Sequence, residues 1–128
     1  MIVDSSAPVA IIKNEPEGTR CKDALLAAAV VRLSAANLVE AYMVVDRSDN
    51  PRAAAEFEGL LMESAVRIEA VTESQARIAH MAYQRFGKRL HPAGLNYGDC
   101  FAYALARATG EPLLFVGNDF SQTDIDVA

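Results

Sequence analysis

Three aspartates stand where a folded sheet and its helices would bring them together. Asp4 follows the opening apolar run, Asp99 stands at the start of an apolar helical stretch, and Asp119 follows a second apolar run. Clustered carboxylates repel one another unless a cation neutralises them, and oxygen-rich sites suit Mg²⁺ or Mn²⁺. Such an ion can activate water for displacement at a phosphodiester. The pattern therefore predicts a metal site, with Glu40 and Asp124 as further candidate ligands.

Each acid also has a purely structural interpretation. Asp4 can cap the helix that follows it, because side-chain oxygens accept hydrogen bonds from free N–H groups at helix starts. Asp99 comes three residues after Asn96, a good N-cap residue, and a negative charge there is favoured by the helix dipole. Glu40 lies in a predicted helix, where a glutamate is most often a solvated surface residue. The spacing alone leaves capping and metal binding open as alternatives.

The elements that must position these acids alternate between strand and helix. Apolar runs and caps predict strands at residues 1–4, 30–33, 66–71 and 113–116, and helices at 5–12, 17–28, 35–46, 52–64, 73–86 and 97–109. This alternation predicts an α/β fold with a central parallel sheet of about four or five short strands. Ligands bind at the carboxyl ends of such strands, where Asp4 and Asp119 lie.

Two of the strand patterns predict a position in the sheet. Residues 66–71 alternate between polar and apolar side chains, which indicates a strand with one wet face near an edge. Residues 113–116 are continuously apolar, which is typical of a central parallel strand.

Composition limits the classes of protein that fit. The chain has 128 residues, is 52% hydrophobic and carries a net charge of −5, which argues against a general nucleic-acid binder. No apolar run reaches the roughly 18 residues of a membrane span, and the first residues include an acid and no basic stretch, so export is not expected. Cys21 and Cys100 lack metal-ligand spacing and are expected to be small core residues in a reducing cytoplasm. The most basic local cluster is Arg85, Lys88 and Arg89, which suits either a helix C-terminus or contacts with phosphate groups.

Four motifs together resemble a known family. They are Met-Ile-Val-Asp-Ser-Ser-Ala at 1–7, Asn-Leu-Val-Glu-Ala at 37–41, Gly-Leu-Asn-Tyr-Gly-Asp-Cys-Phe-Ala-Tyr-Ala-Leu-Ala at 94–106 and Leu-Leu-Phe-Val-Gly-Asn-Asp-Phe-Ser-Gln-Thr-Asp-Ile at 113–125. In this order they resemble PIN-domain ribonuclease toxins, specifically the VapC toxins of bacterial type II toxin–antitoxin systems. The stretch from 94 to 125 is the most specific part of the resemblance.

The resemblance implies a single PIN-like domain over residues 1–128, with three α/β/α layers. It also implies a Mg²⁺-dependent endoribonuclease, with Mn²⁺ as a possible substitute, that acts on RNA in the bacterial cytoplasm. A VapB-type antitoxin would inhibit it, and the toxin would form a homodimer with no membrane attachment.

The resemblance further implies roles for individual residues. The catalytic acids are Asp4, Glu40, Asp99 and a fourth position, with Asp4 and Asp99 as the main metal ligands. Family members often have Gly-Asp-Asp-Phe at the fourth position, whereas this chain has Gly-Asn-Asp-Phe at 117–120. Either Asn118 or Asp119 therefore fills that position, and Asp119 is favoured. Ser6 is a polar neighbour of the site, Asp124 a secondary candidate, and Arg85, Lys88 and Arg89 are candidate RNA contacts.

Two other classes compete with this interpretation. A signalling receiver domain has a similar length and a parallel sheet with Mg²⁺-binding acids. It would need paired acids after its first strand and a lysine after a late strand, and this chain has neither. A metal-free interaction module on a nuclease fold is the second alternative, and a Mg²⁺ or Mn²⁺ titration would distinguish it from an enzyme.

Overall fold

A computed structural model describes residues 1–128 and shows a parallel sheet between two layers of helices. The strands are β1 (Ile2–Val3), β2 (Arg32–Ser34), β3 (Arg67–Glu69) and β4 (Leu113–Leu114). The helices are α1 (Ser6–Ile12), α2 (Gly18–Ala27), α3 (Ala35–Asp46), α4 (Ala53–Glu63), α5 (Glu73–Phe86) and α6 (Tyr97–Thr109). The predicted α/β class is confirmed, with four short parallel strands.

Successive residues of the strands face opposite helical layers, because side chains alternate along a strand. Ile2 and Leu113 pack against α5 and α6. Val3 and Leu114 pack on the other face, with residues of α1, α2 and α4. The two faces of the sheet thus account for its three-layer arrangement.

The sheet order is β3-β2-β1-β4, so β1 lies between two partners. Val3 is in register with Leu33 of β2 and with Leu114 of β4. This register places the residues that follow β1, β2 and β4 at the same edge of the sheet.

The two positional predictions have different outcomes. The prediction that β3 lies at an edge is confirmed. The prediction that β4 is central is wrong, because β4 pairs with β1 alone among the strands. Its other side is covered by residues 126–128, where Leu113 N–H donates to the Asp126 carbonyl at 2.9 Å and Ala128 N–H donates to the Leu113 carbonyl at 3.0 Å. Helices on both faces and this covering segment make β4 as apolar as an interior strand.

Local sequence signals define the ends of the helices that matter for the site. The Ser34 hydroxyl accepts a hydrogen bond from Ala36 N–H at 3.3 Å and caps α3. Asn96 caps α6, and Gly110 ends it with a φ of +68°, a conformation that glycine adopts without strain. None of the six helices combines the length and the apolar character needed to cross a membrane.

Candidate active site

Asp4 lies directly after the central strand and is almost fully buried, with 3% of its surface exposed. Its Oδ2 accepts hydrogen bonds from the Ser6 backbone N–H at 2.9 Å and from the Ser6 hydroxyl at 2.5 Å. Its Oδ1 is buried and has no hydrogen-bond partner. Burial is the main cause that raises the pKa of Asp4; the bonds from Ser6 oppose it, and the charge of Glu40 adds to it.

Ser6 connects Asp4 to the neighbouring strand. Its hydroxyl donates to Asp4 and also accepts a hydrogen bond from Val116 N–H at 3.0 Å, just beyond β4. Ser6 therefore lies beside the Asp4 carboxylate and orients it.

Asp99 is the third residue of α6 and is 7% exposed. Its N–H donates to Asn96 Oδ1 at 2.9 Å, and its Oδ2 accepts from Asn96 N–H at 2.8 Å, which completes a capping box. The pKa of Asp99 is raised to about 7, mainly by burial and further by the charges of Asp4, Asp119 and Glu40, while the bond from Asn96 lowers it. The capping interpretation is thus confirmed, and the same carboxylate lies within reach of three other acids.

Glu40 reaches this cluster from the middle of α3. Its Oε2 accepts hydrogen bonds from the Ser5 hydroxyl at 2.6 Å and from Asn37 Nδ2 at 3.1 Å. Its carboxylate also lies against Gly98, the residue before Asp99. Glu40 is therefore directed into the site and is held there by neighbouring side chains.

The two candidates for the fourth acidic position differ in their contacts. Both Asn118 and Asp119 are exposed beyond β4. Asp119 lies close enough for its charge to raise the pKa of Asp99. The Asn118 side chain makes no hydrogen bond, and its backbone carbonyl accepts the Ser121 hydroxyl at 2.6 Å. This arrangement favours Asp119 as the fourth acid.

Asp124 belongs to a separate network of contacts. It accepts hydrogen bonds from the Tyr103 hydroxyl at 2.7 Å and from Arg85 Nη1 at 2.8 Å. The bond from Tyr103 is the main cause that lowers the pKa of Asp124, with a further contribution from the Arg85 charge. The charges and hydrogen bonds that shift the pKa of Asp124 include none from the other four acids, so the structure does not bring it together with them.

Within the basic cluster, only Arg85 forms an ion pair, and its partner is Asp124. Arg85 is engaged by Asp124 and also stacks over the Phe86 ring, with 4.7 Å from its guanidinium carbon to the ring centroid. Lys88 and Arg89 are exposed and form no ion pair. They lie in the loop that leads into α6 and are the members of the cluster that are free to contact an anion.

The cluster of acids fits a cation on two counts. First, the buried Asp4 Oδ1 has no hydrogen-bond donor, and a metal ion would supply the missing partner. Second, a positive charge would relieve the mutual repulsion of four carboxylates, those of Asp4, Asp99, Asp119 and Glu40. No group of three or more His, Cys, Asp or Glu side chains is close enough together to hold an ion. The site therefore offers carboxylate donors for an ion held by one or two of these side chains, with water as its other ligands.

Sequence reasoning missed Ser5, Asn37 and Gly98, which hold Glu40. The three-residue spacing of Asn37 and Glu40 was the available signal, because residues i and i+3 are neighbours on a helix surface. Nothing in the sequence pointed to Gly98, since its role depends on how α3 and α6 pack.

Comparison with known proteins shows several close similarities. The family described as PIN domain matches residues 1–126. Ribonuclease VapC28 of Mycobacterium tuberculosis is 46% identical over 129 residues, which cover 100% of this chain and 97% of that protein. Ribonuclease VapC42 of the same species is 46% identical over 126 residues, covering 98% of this chain and 96% of the relative.

A solved structure shares the same architecture. The crystal structure of Mycobacterium tuberculosis VapC20, described as a sarcin–ricin loop cleaving toxin, superposes with a TM-score of 0.79. It covers 99% of this chain and 97% of that one at 22% sequence identity. At that identity the likeness establishes the fold, and the predicted three-layer α/β/α arrangement is confirmed.

Proposed function

Because the chain belongs to the PIN-domain family and, within it, to the VapC ribonucleases, we propose that it is a metal-dependent endoribonuclease toxin. The proposed reaction is hydrolysis of RNA phosphodiester bonds, and a VapB-type antitoxin is the proposed inhibitor. The observation that carries the proposal is the cluster of acids around the buried, unpartnered Asp4 Oδ1. Residues 1–128 are proposed to act as one PIN-like domain.

The proposed metal is Mg²⁺, with Mn²⁺ as a substitute, because small hard cations prefer carboxylate oxygens. Asp4 and Asp99 are its proposed main ligands, with Glu40 and Asp119 completing the acidic site. Bound there, the ion supplies the Lewis acidity that activates water and offsets negative charge on the phosphodiester.

The chain's own residues prepare this site before RNA arrives. Ser6 fixes Asp4 Oδ2 with two hydrogen bonds and leaves Oδ1 without a protein partner. Asn96 fixes Asp99 Oδ2 at the start of α6, where the helix dipole stabilises the ionised form. Preorganised carboxylates need little rearrangement when the reaction begins, which is the main source of electrostatic catalysis.

Lys88 and Arg89 are the proposed contacts for RNA phosphates, because both are exposed and free of ion pairs. Arg85 remains a candidate, but binding RNA would require it to exchange its bond to Asp124. A basic loop leading into the helix that carries Asp99 would reconcile a net charge of −5 with an anionic substrate. The acids would bind metal, and the loop would bind phosphate.

Exposed apolar side chains near the site support the proposed homodimer and antitoxin binding. Val39 and Met43 on α3 are 57% and 59% exposed, and Tyr97 at the start of α6 is 80% exposed. Apolar groups grouped on a surface mark interaction sites. A bacterial cytoplasmic location is proposed, because the proposed RNA substrate is found there.

The direct test uses purified, antitoxin-free protein with labelled RNA and Mg²⁺ or Mn²⁺. We expect metal-dependent cleavage that Asp4→Ala or Asp99→Ala abolishes, because each variant removes a proposed metal ligand. Asp23→Asn serves as the control, since Asp23 is an exposed acid on α2 outside the site. Circular dichroism establishes that the variants remain folded.

Two results would contradict the proposal. One is a wild-type protein that cleaves no RNA with either metal, and the other is full activity in Asp4→Ala or Asp99→Ala. A calorimetric Mn²⁺ titration then tests the remaining alternative, a protein that binds no metal. Absence of binding would favour a metal-free interaction module.

A further inference from the structure

Asn37 lies one turn before Glu40 on α3, and none of its surface is exposed. Its Nδ2 donates one hydrogen bond to Glu40 Oε2 at 3.1 Å and another to the Gly98 carbonyl at 3.0 Å. Both partners are acceptors, so only the nitrogen end of the amide can face them. The Asn37 side chain thus bridges α3 and α6 beside the acidic cluster.

Gly98 is the other half of this contact. A Cβ at position 98 would lie 2.1 Å from Glu40 Oε1 and 2.6 Å from Oε2, which are impossible separations. The Glu40 carboxylate therefore occupies the space where any other residue would place its side chain. This close approach brings Glu40 to the residue that precedes Asp99.

The hydrogen bonds on Glu40 are distributed unequally. Oε2 accepts from both Asn37 and Ser5, at 3.1 and 2.6 Å. Oε1 accepts no hydrogen bond from the protein. One oxygen is thus anchored by two donors, and the other remains available to a cation.

Asn37 is a poor choice for stability alone. Its Oδ1 is buried without any partner, and an unpaired buried acceptor is destabilising. A leucine of similar size would fill the same space without an unpaired oxygen, but it would also lose the two hydrogen bonds that Nδ2 donates. The presence of Asn37 is explained by the Glu40 carboxylate, which its side-chain amide orients.

We propose that Asn37 and Gly98 are positioning residues that together fix Glu40 against the start of α6 and leave Oε1 free for a cation. This inference rests on the proposed function, because it assigns Glu40 a share in holding the metal. Asn37 itself is fully buried and reaches neither RNA nor metal. Its effect on the reaction is transmitted through Glu40.

Two substitutions perturb Glu40 from opposite sides. Asn37→Leu removes the two hydrogen bonds that Nδ2 donates, to Glu40 and to the Gly98 carbonyl, and fills the space. Gly98→Ala pushes the flexible end of Glu40 away, and alanine is the better helix former. Because only the end of a side chain must move, Gly98→Ala is expected to leave the melting temperature unchanged or raise it.

The experiment measures kcat and KM for RNA cleavage, the Mn²⁺ dissociation constant by calorimetry, and the melting temperature. For both variants we expect kcat to fall and the Mn²⁺ dissociation constant to rise by about 10–100-fold, the usual effect of losing a residue that orients a metal ligand. KM should change by no more than about twofold, since neither substitution removes an RNA contact. Ser64→Ala is the matched control, because Ser64 Oγ is also buried and unpartnered but lies after α4, outside the site.

The outcomes separate this inference from the proposed function. Suppose that wild type cleaves RNA, that Asp4→Ala does not, and that Asn37→Leu and Gly98→Ala keep the wild-type kcat and Mn²⁺ affinity. The positioning of Glu40 is then refuted, and the proposed function stands. A loss confined to Asn37→Leu and accompanied by a lower melting temperature would also refute positioning, because it would reflect damage to the fold. If wild type cleaves no RNA, the function fails, and the Mn²⁺ affinities alone decide whether Glu40 is positioned as proposed.

Discussion

The Asp99 carboxylate divides two tasks between its two oxygens. Oδ2 accepts the hydrogen bond from Asn96 N–H that closes the capping box, and Oδ1 takes part in no hydrogen bond with the protein. Asp4 shows the same division, with Oδ2 held by Ser6 and Oδ1 unpartnered. At both residues one oxygen fixes the orientation while the other is free to bind a metal. Capping and metal binding are therefore compatible.

The fourth acidic position gives a prediction at the scale of a single residue. Asp119→Ala should lower kcat for RNA cleavage by about 10–100-fold, because it removes a charge that acts on Asp99. Asn118→Ala should change kcat by less than about twofold, since the Asn118 side chain makes no hydrogen bond and only its backbone carbonyl is used. Single-turnover cleavage assays at saturating Mg²⁺ measure both effects. The reverse ranking of the two variants would assign the position to Asn118.

Residue types identified the acids of the site, but not the residues that hold them. Asp4, Asp99 and Asp119 could be found because strand ends and a helix start are visible in the sequence. The support of Glu40 by Ser5 and Gly98 depends on contacts between distant segments. Such contacts carry no local periodicity, so sequence analysis could not detect them.

At the scale of elements, helix ends were easier to predict than strand positions. The bounds of α3 agree with the prediction of 35–46, because Ser34 gives a clear start signal. The position of β4 could not be predicted, because its apolar run reports burial and does not identify its neighbours. The covering of its outer side by residues 126–128 produces the same pattern as a further strand would.

Two glycines provide a matched test of how backbone conformation at a glycine affects stability. Gly110 ends α6 with a φ of +68°, where a Cβ is unfavourable even though no atom would clash with it. We expect Gly110→Ala to lower the free energy of unfolding by about 1 kcal/mol. Gly59 lies within α4 and also has open space around its Cβ position, so Gly59→Ala should raise that free energy by about 0.5–1 kcal/mol.

Urea denaturation followed by circular dichroism measures both glycine variants. The added methyl group contacts no neighbouring atom in either variant. Opposite signs of the two changes in the free energy of unfolding would therefore isolate the effect of backbone conformation. Equal stabilisation by the two alanines would contradict the assigned left-handed conformation of Gly110.

At the scale of the whole molecule, the Tyr103–Asp124–Arg85 network fastens residues 117–128 to α5 and α6. Burial, together with the bond to Asp124, raises the pKa of Tyr103 to about 12. The bond from Tyr103 and the Arg85 charge lower the pKa of Asp124. The segment that carries Asp119 is thus held in place by a contact outside the acidic cluster.

This network predicts how stability depends on pH. The pKa of Asp124 is lower in the folded protein than in the unfolded chain, so folding is favoured by its ionised form. Its contribution is fully present above the unfolded pKa, near 3.8, and is lost as the pH falls through the lower, folded pKa. Asp124→Asn should therefore melt at a lower temperature than wild type at pH 6, and the gap should narrow at pH 3 and below.

Differential scanning calorimetry of wild type and Asp124→Asn across this range tests the expectation. Asp23→Asn, which changes an acid without an ion pair, controls for the general loss of a negative charge. A gap that stays constant down to pH 2 would show that the charge of Asp124 does not stabilise the fold.

The place of β1 between β2 and β4 also has a consequence during protein synthesis. Ile2 and Val3 complete their pairing only with Leu113 and Leu114, so the central strand waits for a partner that is synthesised 111 residues later (113 − 2 = 111). At about 5–20 residues per second, a ribosome needs roughly 6 to 23 s to reach that partner. Contacts so far apart in sequence also form slowly. The acids that follow these two strands can therefore come together only after β4 has been synthesised.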